Sequence, residues 1–189
     1  YYHLNSLSVT SGYENRRHYL SLTSDFGNIE ITGHYDYASL PASFVKILKK
    51  HMPTMPGLPQ YTQTADNNFS IAATLTRSDW LNKFLGVDLQ VIEPLHLTGS
   101  VNDHNCGMTL SLNGTSFEYN GKQYGNSRLN LMSTNDSMTA DASITQANSN
   151  GRNITYNIDA MAADNRLATS LSWKNNGTGA KEKLSLIHI

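Results

Sequence analysis

The sequence withholds most of the features that make a protein's chemistry easy to read. A single cysteine, Cys106, excludes a disulfide framework and a cysteine metal cluster. A lone cysteine on a strand is read as a small buried hydrophobe. Only 15% of the 189 residues are charged and the formal net charge is −1, so composition offers neither a basic surface for nucleic acid nor an acidic tail for a cationic partner. No run approaches the ~18 consecutive apolar residues of a membrane-spanning helix. Walker, GxGxxG and GxSxG signatures are missing, and His3, His18, His34, His51, His96 and His104 show neither HxxxH nor HExxH spacing. No metal ligand set or cofactor site follows.

Asp25, Asp36, Asp79 and Asp88 are the candidates for an acid/base carboxylate pair. Asp25 falls in a turn and Asp79 at a helix start, where carboxylates belong for structural reasons. No catalytic residue is therefore expected, and the chain is not read as an enzyme. The sequons at Asn68, Asn113 and Asn153 are what an Asn/Ser/Thr-rich composition produces unaided.

What the chain does have is alternation. Leu20 and Leu22 alternate with Ser21 and Thr23, and Ile29 and Ile31 with Glu30 and Thr32. This is the period-2 pattern of half-buried strands. From Pro94 onward it never stops. Met108, Leu110 and Leu112, then Leu129 and Leu131, then Ala140, Ala142 and Ile144, then Ile154, Tyr156 and Ile158, and finally Leu171 and Trp173 each alternate with polar residues. Turn signals separate the runs, among them Ser11–Asn15, Asn120-Gly121, Asn148–Gly151, Asp164-Asn165 and Asn175–Gly177. One apolar and one polar face per strand implies an antiparallel meander of roughly a dozen strands.

Two helices interrupt the pattern, near residues 39–52 and 78–86. In the first, Ser39 is a candidate N-cap, Pro41 suits the first turn, and Leu40, Phe44, Ile47, Leu48 and His51 share one face. Lys46, Lys49 and Lys50 lie mostly off that face, as a solvated edge or a contact for an anionic membrane surface. Pro53, Pro56 and Pro59 stop the helix. The fold expected is mainly β: an elongated, curled antiparallel sheet with one or two short amphipathic helices docked on it, in one domain spanning residues 1–183. Two helices are little cover for so much apolar face, and the pattern fits both a closed core and an open trough.

The segment Leu20–Pro59 also carries a resemblance. Ser24-Asp25-Phe26 at the end of a strand, Gly33-His34-Tyr35-Asp36-Tyr37 after the next, a helix through Leu40 and Ser43-Phe44, and the closing Pro53 resemble the corresponding stretch of Bacteroidetes-type TamB proteins, of the AsmA-like group. The motif-like match covers about Leu20 to Gly99, and beyond it only the strand pattern is similar. The resemblance implies an apolar β half-pipe in the periplasm of a Gram-negative envelope. It implies transport of phospholipids between inner and outer membranes, support of outer-membrane protein assembly with a β-barrel partner, and a full-length protein anchored in the inner membrane. On it, phospholipid acyl chains are the expected partner, and Met108, Leu110, Leu112, Leu129, Leu131, Ala140, Ala142, Ile144, Ile154, Tyr156, Ile158 and Leu171 are the expected groove lining. The family supplies no catalytic residue. The alternative reading is a structural or adhesive surface β-protein. The absence of an initiating Met points to an internal fragment, and residues 184–189 read as a translated sequencing adaptor, left out of these expectations.

Overall fold

The structure, a computed structural model, describes residues 4–60, 66–147, 152–175 and 182–188, the last segment by its backbone alone. The turn signals at Asn148–Gly151 and Asn176-Gly177, and His3, lie outside the described residues.

Alternation in the sequence becomes strand after strand. β1 (Leu7–Glu14), β2 (Arg17–Ser24) and β3 (Gly27–His34) lead through a 3-10 turn at Tyr37–Ser39 into α1 (Leu40–His51). β4 (Asn68–Leu75), α2 (Asp79–Leu85) and a short β5 (Leu89–Val91) follow. The rest is β6 (Leu95–Asn102), β7 (Gly107–Tyr119), β8 (Lys122–Ser133), β9 (Met138–Gln146), β10 (Ile154–Ala163), β11 (Arg166–Asn175) and β12 (Glu182–His188). Neighbours pair antiparallel in chain order from β1 to β12, except that β5 pairs with β7, off the main path. The sheet never closes on itself. Eleven strands at ~4.8 Å spacing give about 50 Å along the stacking direction. The whole is an elongated, curled antiparallel meander carrying short helices.

The two-residue turns have the chemistry their geometry demands. Asn120-Gly121 and Asp164-Asn165 both sit at positive φ, the mirror-image turn that matches strand twist. Asn15-Arg16 does the same, at φ 50° and 62°. This corrects the break expected at Ser11–Asn15: β1 runs unbroken through Glu14. Gly12 stays in the strand because the Tyr19 ring of β2 lies over it, 2.7 Å from where a Cβ would stand. Tyr13 stays because it packs against His18, ring centres 4.9 Å apart. The run around Leu110 extends through Phe117 as the 13-residue β7. Residues 184–188, within the stretch excluded as adaptor, contribute most of β12, which pairs along β11 from Lys174 to Ala168.

α1 lies across one lip of the sheet, where β3 ends, β4 begins and the β6–β7, β8–β9 and β10–β11 turns fall. Its attachment uses the face read in the sequence, with Leu40 and Phe44 packed against the core cluster, and adds buried Ala42 and Ser43 beside it. The buried residues are Ala42, Ser43, Ile47 and His51, while Leu40, Phe44 and Leu48 are only half-buried. Ile47 is fully enclosed with Tyr35, Phe69, Val101 and Met108. Around it the contacts are polar. Asp103 accepts hydrogen bonds from Ser43 Oγ and the Asn67 backbone N–H, both at 2.8 Å, and Asn67 Nδ2 donates to Ser43 Oγ and Ser39 Oγ. His51 Nε2 meets Ser133 Oγ at 3.0 Å, and the His51 carbonyl accepts from Asn165 N–H. Ser39 holds the N-cap position without capping, since its hydroxyl donates to the Asp36 carbonyl. Lys46, Lys49 and Lys50 bond to Asp66, Gln60 and Asn135, fastening loops to the helix.

The accessible surface is 12,068 Å², against about 9,000 Å² for a compact monomer of 20.9 kDa. A third more surface is what an unclosed sheet costs.

Candidate functional site

Pairing registers decide which residues share a face, because directly opposed residues of an antiparallel pair point to the same side. Leu110, Leu131, Ala140 and Ala160 form one cross-strand row. Leu112, Leu129, Ala142, Ile158 and Leu171 form the next, and Ile144, Tyr156 and Trp173 a third. Ile154 opposes Gln146 at the strand ends. All twelve residues named as groove lining therefore fall on one face. The same rows continue through Leu97, Ala73, Ile29 and Leu22 to Val9 at the β1 edge. Met108 stands apart from the others. It is buried under α1 against Ile47 and lines the covered lip rather than the open part.

Over the open part the apolar side chains remain wet. Leu112 is 36% exposed, Leu129 37% and Ile158 41%, although their strands lie well inside the sheet. The sheet leaves a trough, with a depression of about 250 Å³ on the side away from α1. Leu95, Leu112, Gly114, Phe117, Leu129, Ala142 and Ile144 are among its walls. Gly114 and Phe117 were not signalled by the sequence. Asn113-Gly114-Thr115 reads as a sequon, and only the pairing of Gly114 with Leu95 and Ser127 shows the glycine as floor.

The opposite face is mainly a polar lattice, interrupted by the exposed Met132 and Met161. Ser100 bonds Thr109 at 2.8 Å, Ser111 donates to Asn130, Asn130 donates to Asp141, and Thr145 bonds Thr155 at 3.0 Å. Arg128 stands 3.8 Å from Asp141. The two faces thus differ sharply in what they could hold.

The titratable candidates are scattered. Asp25 accepts from the Asn5 and Ser6 backbone N–H groups and from Ser6 Oγ, and the Asn5 contact first, then the Ser6 hydroxyl, hold its carboxyl below the usual range. It ties the start of the chain to the β2–β3 turn. Asp36 caps the 3-10 turn beyond the other end of β3, and eight extended residues span about 26 Å. Glycosidase carboxylates work within roughly 10 Å of each other. Asp79 pairs with its neighbour Arg77 at the start of α2. His51 and Ser133 touch, but both are buried, and Ser133 donates its proton to the Cys106 carbonyl. Among the described residues no three His, Cys, Asp or Glu side chains gather as metal ligands, and no helix is long and apolar enough to cross a membrane.

Tyr35 lies among rings: His18 at 5.6 Å, Tyr37 at 5.2 Å and Phe69 at 6.1 Å between centres. Burial, followed by its hydrogen bond with Tyr37, pushes its hydroxyl up to about 12. The cluster joins β2, the segment after β3, and β4.

Set against protein-family models, curated proteins and solved structures, the chain matches none of them.

Proposed function

We propose that this chain is part of a TamB/AsmA-like envelope protein, and that its apolar face carries phospholipid acyl chains through the periplasm between inner and outer membranes. In this reading the chain is a conduit and not an enzyme, with an outer-membrane β-barrel assembly protein as a second partner. The observation that carries it is the half-exposed aliphatic face of a sheet that does not close. Each CH₂ of a guest moved from water onto that face gains ~0.8 kcal/mol, and the same guest dries Leu112, Leu129 and Ile158. The polar lattice behind suits a surface left in water. The motif-like stretch from Ser24 to Pro53 adds the family resemblance.

The test is photo-crosslinking in cells from the full-length protein. A crosslinkable residue replaces Leu131 or Ile154 on the apolar face, with Thr155 on the polar face as control. Phospholipid adducts from the first two positions and none from Thr155 are expected. Absence of adducts from both faces would overturn the conduit and promote the alternative, a structural or adhesive β-protein whose apolar face is covered by protein.

A further inference from the structure

We infer that the depression beside Gly114 is a discrete seat for one hydrocarbon chain of a phospholipid, and that Gly114 sets its depth; this deepens the conduit reading and rests on it. Gly114 opposes Leu95 of β6 and Ser127 of β8. A Cβ at Gly114 would stand 2.6 Å from Leu95 Cδ2 and 3.7 Å from the Phe117 ring. The glycine therefore lets Leu95 lie down against the sheet, and the space above is bounded by Phe117, Leu129, Ala142 and Ile144. Ala142 opens the floor further on β9, two residues from Ile144 on the same face.

The occupant follows from what this floor lacks. Apart from the bulge between Gly125 and Arg128, the backbone N–H and C=O groups of β6 to β9 are engaged in the ladders between those strands. A peptide laid on the seat would bury polar backbone without partners, at a cost of several kcal/mol per group. The inward rows here are Leu, Gly, Ala, Ile and Phe, with Ser127 beside Gly114; Arg128 and Ser143 also border the depression but belong to the polar-face register. The nearest charge, Arg128, stands 3.8 Å from Asp141 of the polar face, and the inward rows carry none, so the seated part is itself uncharged. A volume of about 250 Å³ accommodates a stretch of one chain and not a bundle of them. A saturated or singly unsaturated acyl chain has this chemistry, with its headgroup left at the open lip.

The experiment uses vesicles containing a phospholipid with one parinaroyl chain, a fluorophore that brightens in apolar surroundings. Binding is compared among the wild-type chain, Gly114→Leu and Thr98→Leu. Gly114 is not at positive φ and the first obstacle is the flexible tip of Leu95, so Gly114→Leu folds and fills the seat. Thr98→Leu adds the same bulk on the exposed polar face, since Thr98 opposes Ala72 and Ser111. Circular dichroism confirms folding of each. The expected result is a signal reduced at least tenfold by Gly114→Leu and unchanged by Thr98→Leu. Undiminished binding by Gly114→Leu overturns the seat while leaving the trough standing. No binding by the wild type overturns both, and assigns the depression to an apolar protein surface.

Discussion

An open trough and a closed core respond differently to the same truncation, and two residues separate them. Ile47 is fully enclosed between α1 and the sheet. Ile47→Ala removes three carbons, worth ~2.4 kcal/mol of transfer at ~0.8 kcal/mol each. Tyr35, Phe69, Val101 and Met108 are held by their strands or neighbouring rings and cannot collapse into the space, so a cavity term of about 1 kcal/mol adds to it. The expected loss is ~3–4 kcal/mol. Leu129 is of similar size and sits mid-sheet, but 37% of it is already in contact with water. Only about three-fifths of the transfer term is at stake, and water fills the vacated space without a cavity penalty. Leu129→Ala should cost ~1–1.5 kcal/mol. Urea unfolding reads both: with a slope of about 2 kcal/mol/M, the midpoint falls by ~1.5–2 M for Ile47→Ala and ~0.5–0.8 M for Leu129→Ala. Equal losses at the two sites would refute the reasoning, because they would mean that Leu129 is packed as tightly as Ile47.

Asp103→Ala strips the acceptor from Ser43 Oγ and the Asn67 N–H, both buried, and should destabilise by ~3 kcal/mol at neutral pH in the same assay, with Asp103→Asn recovering part of it. Burial first, then the hydrogen bond with Tyr37, pushes the Tyr35 hydroxyl from its ordinary 10.0 up to about 12. Its raised value means that folding favours the protonated hydroxyl. That contribution is complete below pH 10 and is lost as pH rises through about 12. Absorbance at the phenolate band should show one tyrosine titrating late, and Tyr37→Phe should bring it earlier; a set of tyrosines that all titrate together near pH 10 would refute the assignment.

How much was legible beforehand differs from element to element. The strands from Leu95 to Trp173 were visible because side-chain period 2 survives any tertiary arrangement, and Asn120-Gly121 was visible because positive φ at two successive residues selects those types. Ser11–Asn15 misled because Gly12 and Tyr13 resemble a turn until Tyr19 and His18 of the next strand are placed against them. The helix face was legible at Ile47 and His51, but hydrophobic spacing has no way to register Asn67, Asp103 and Ser133, which are 24 to 82 residues from the α1 side chains they hold.

Sequence alone settled local matters here: the alternation that makes each strand two-faced, turns such as Asn120-Gly121 and Asp164-Asn165, and the prolines that end α1. These depend on residues a few positions apart. Whether the apolar faces would bury one another was decided only in three dimensions. An alternating strand has an apolar face in a sandwich, a barrel or an open sheet, and nothing within the strand distinguishes them. The pairing order that leaves β1 and β12 at opposite ends, and the single lip covered by α1, leave Leu112, Leu129 and Ile158 half in water. That exposure is a property of the whole sheet, and no window of the sequence contains it.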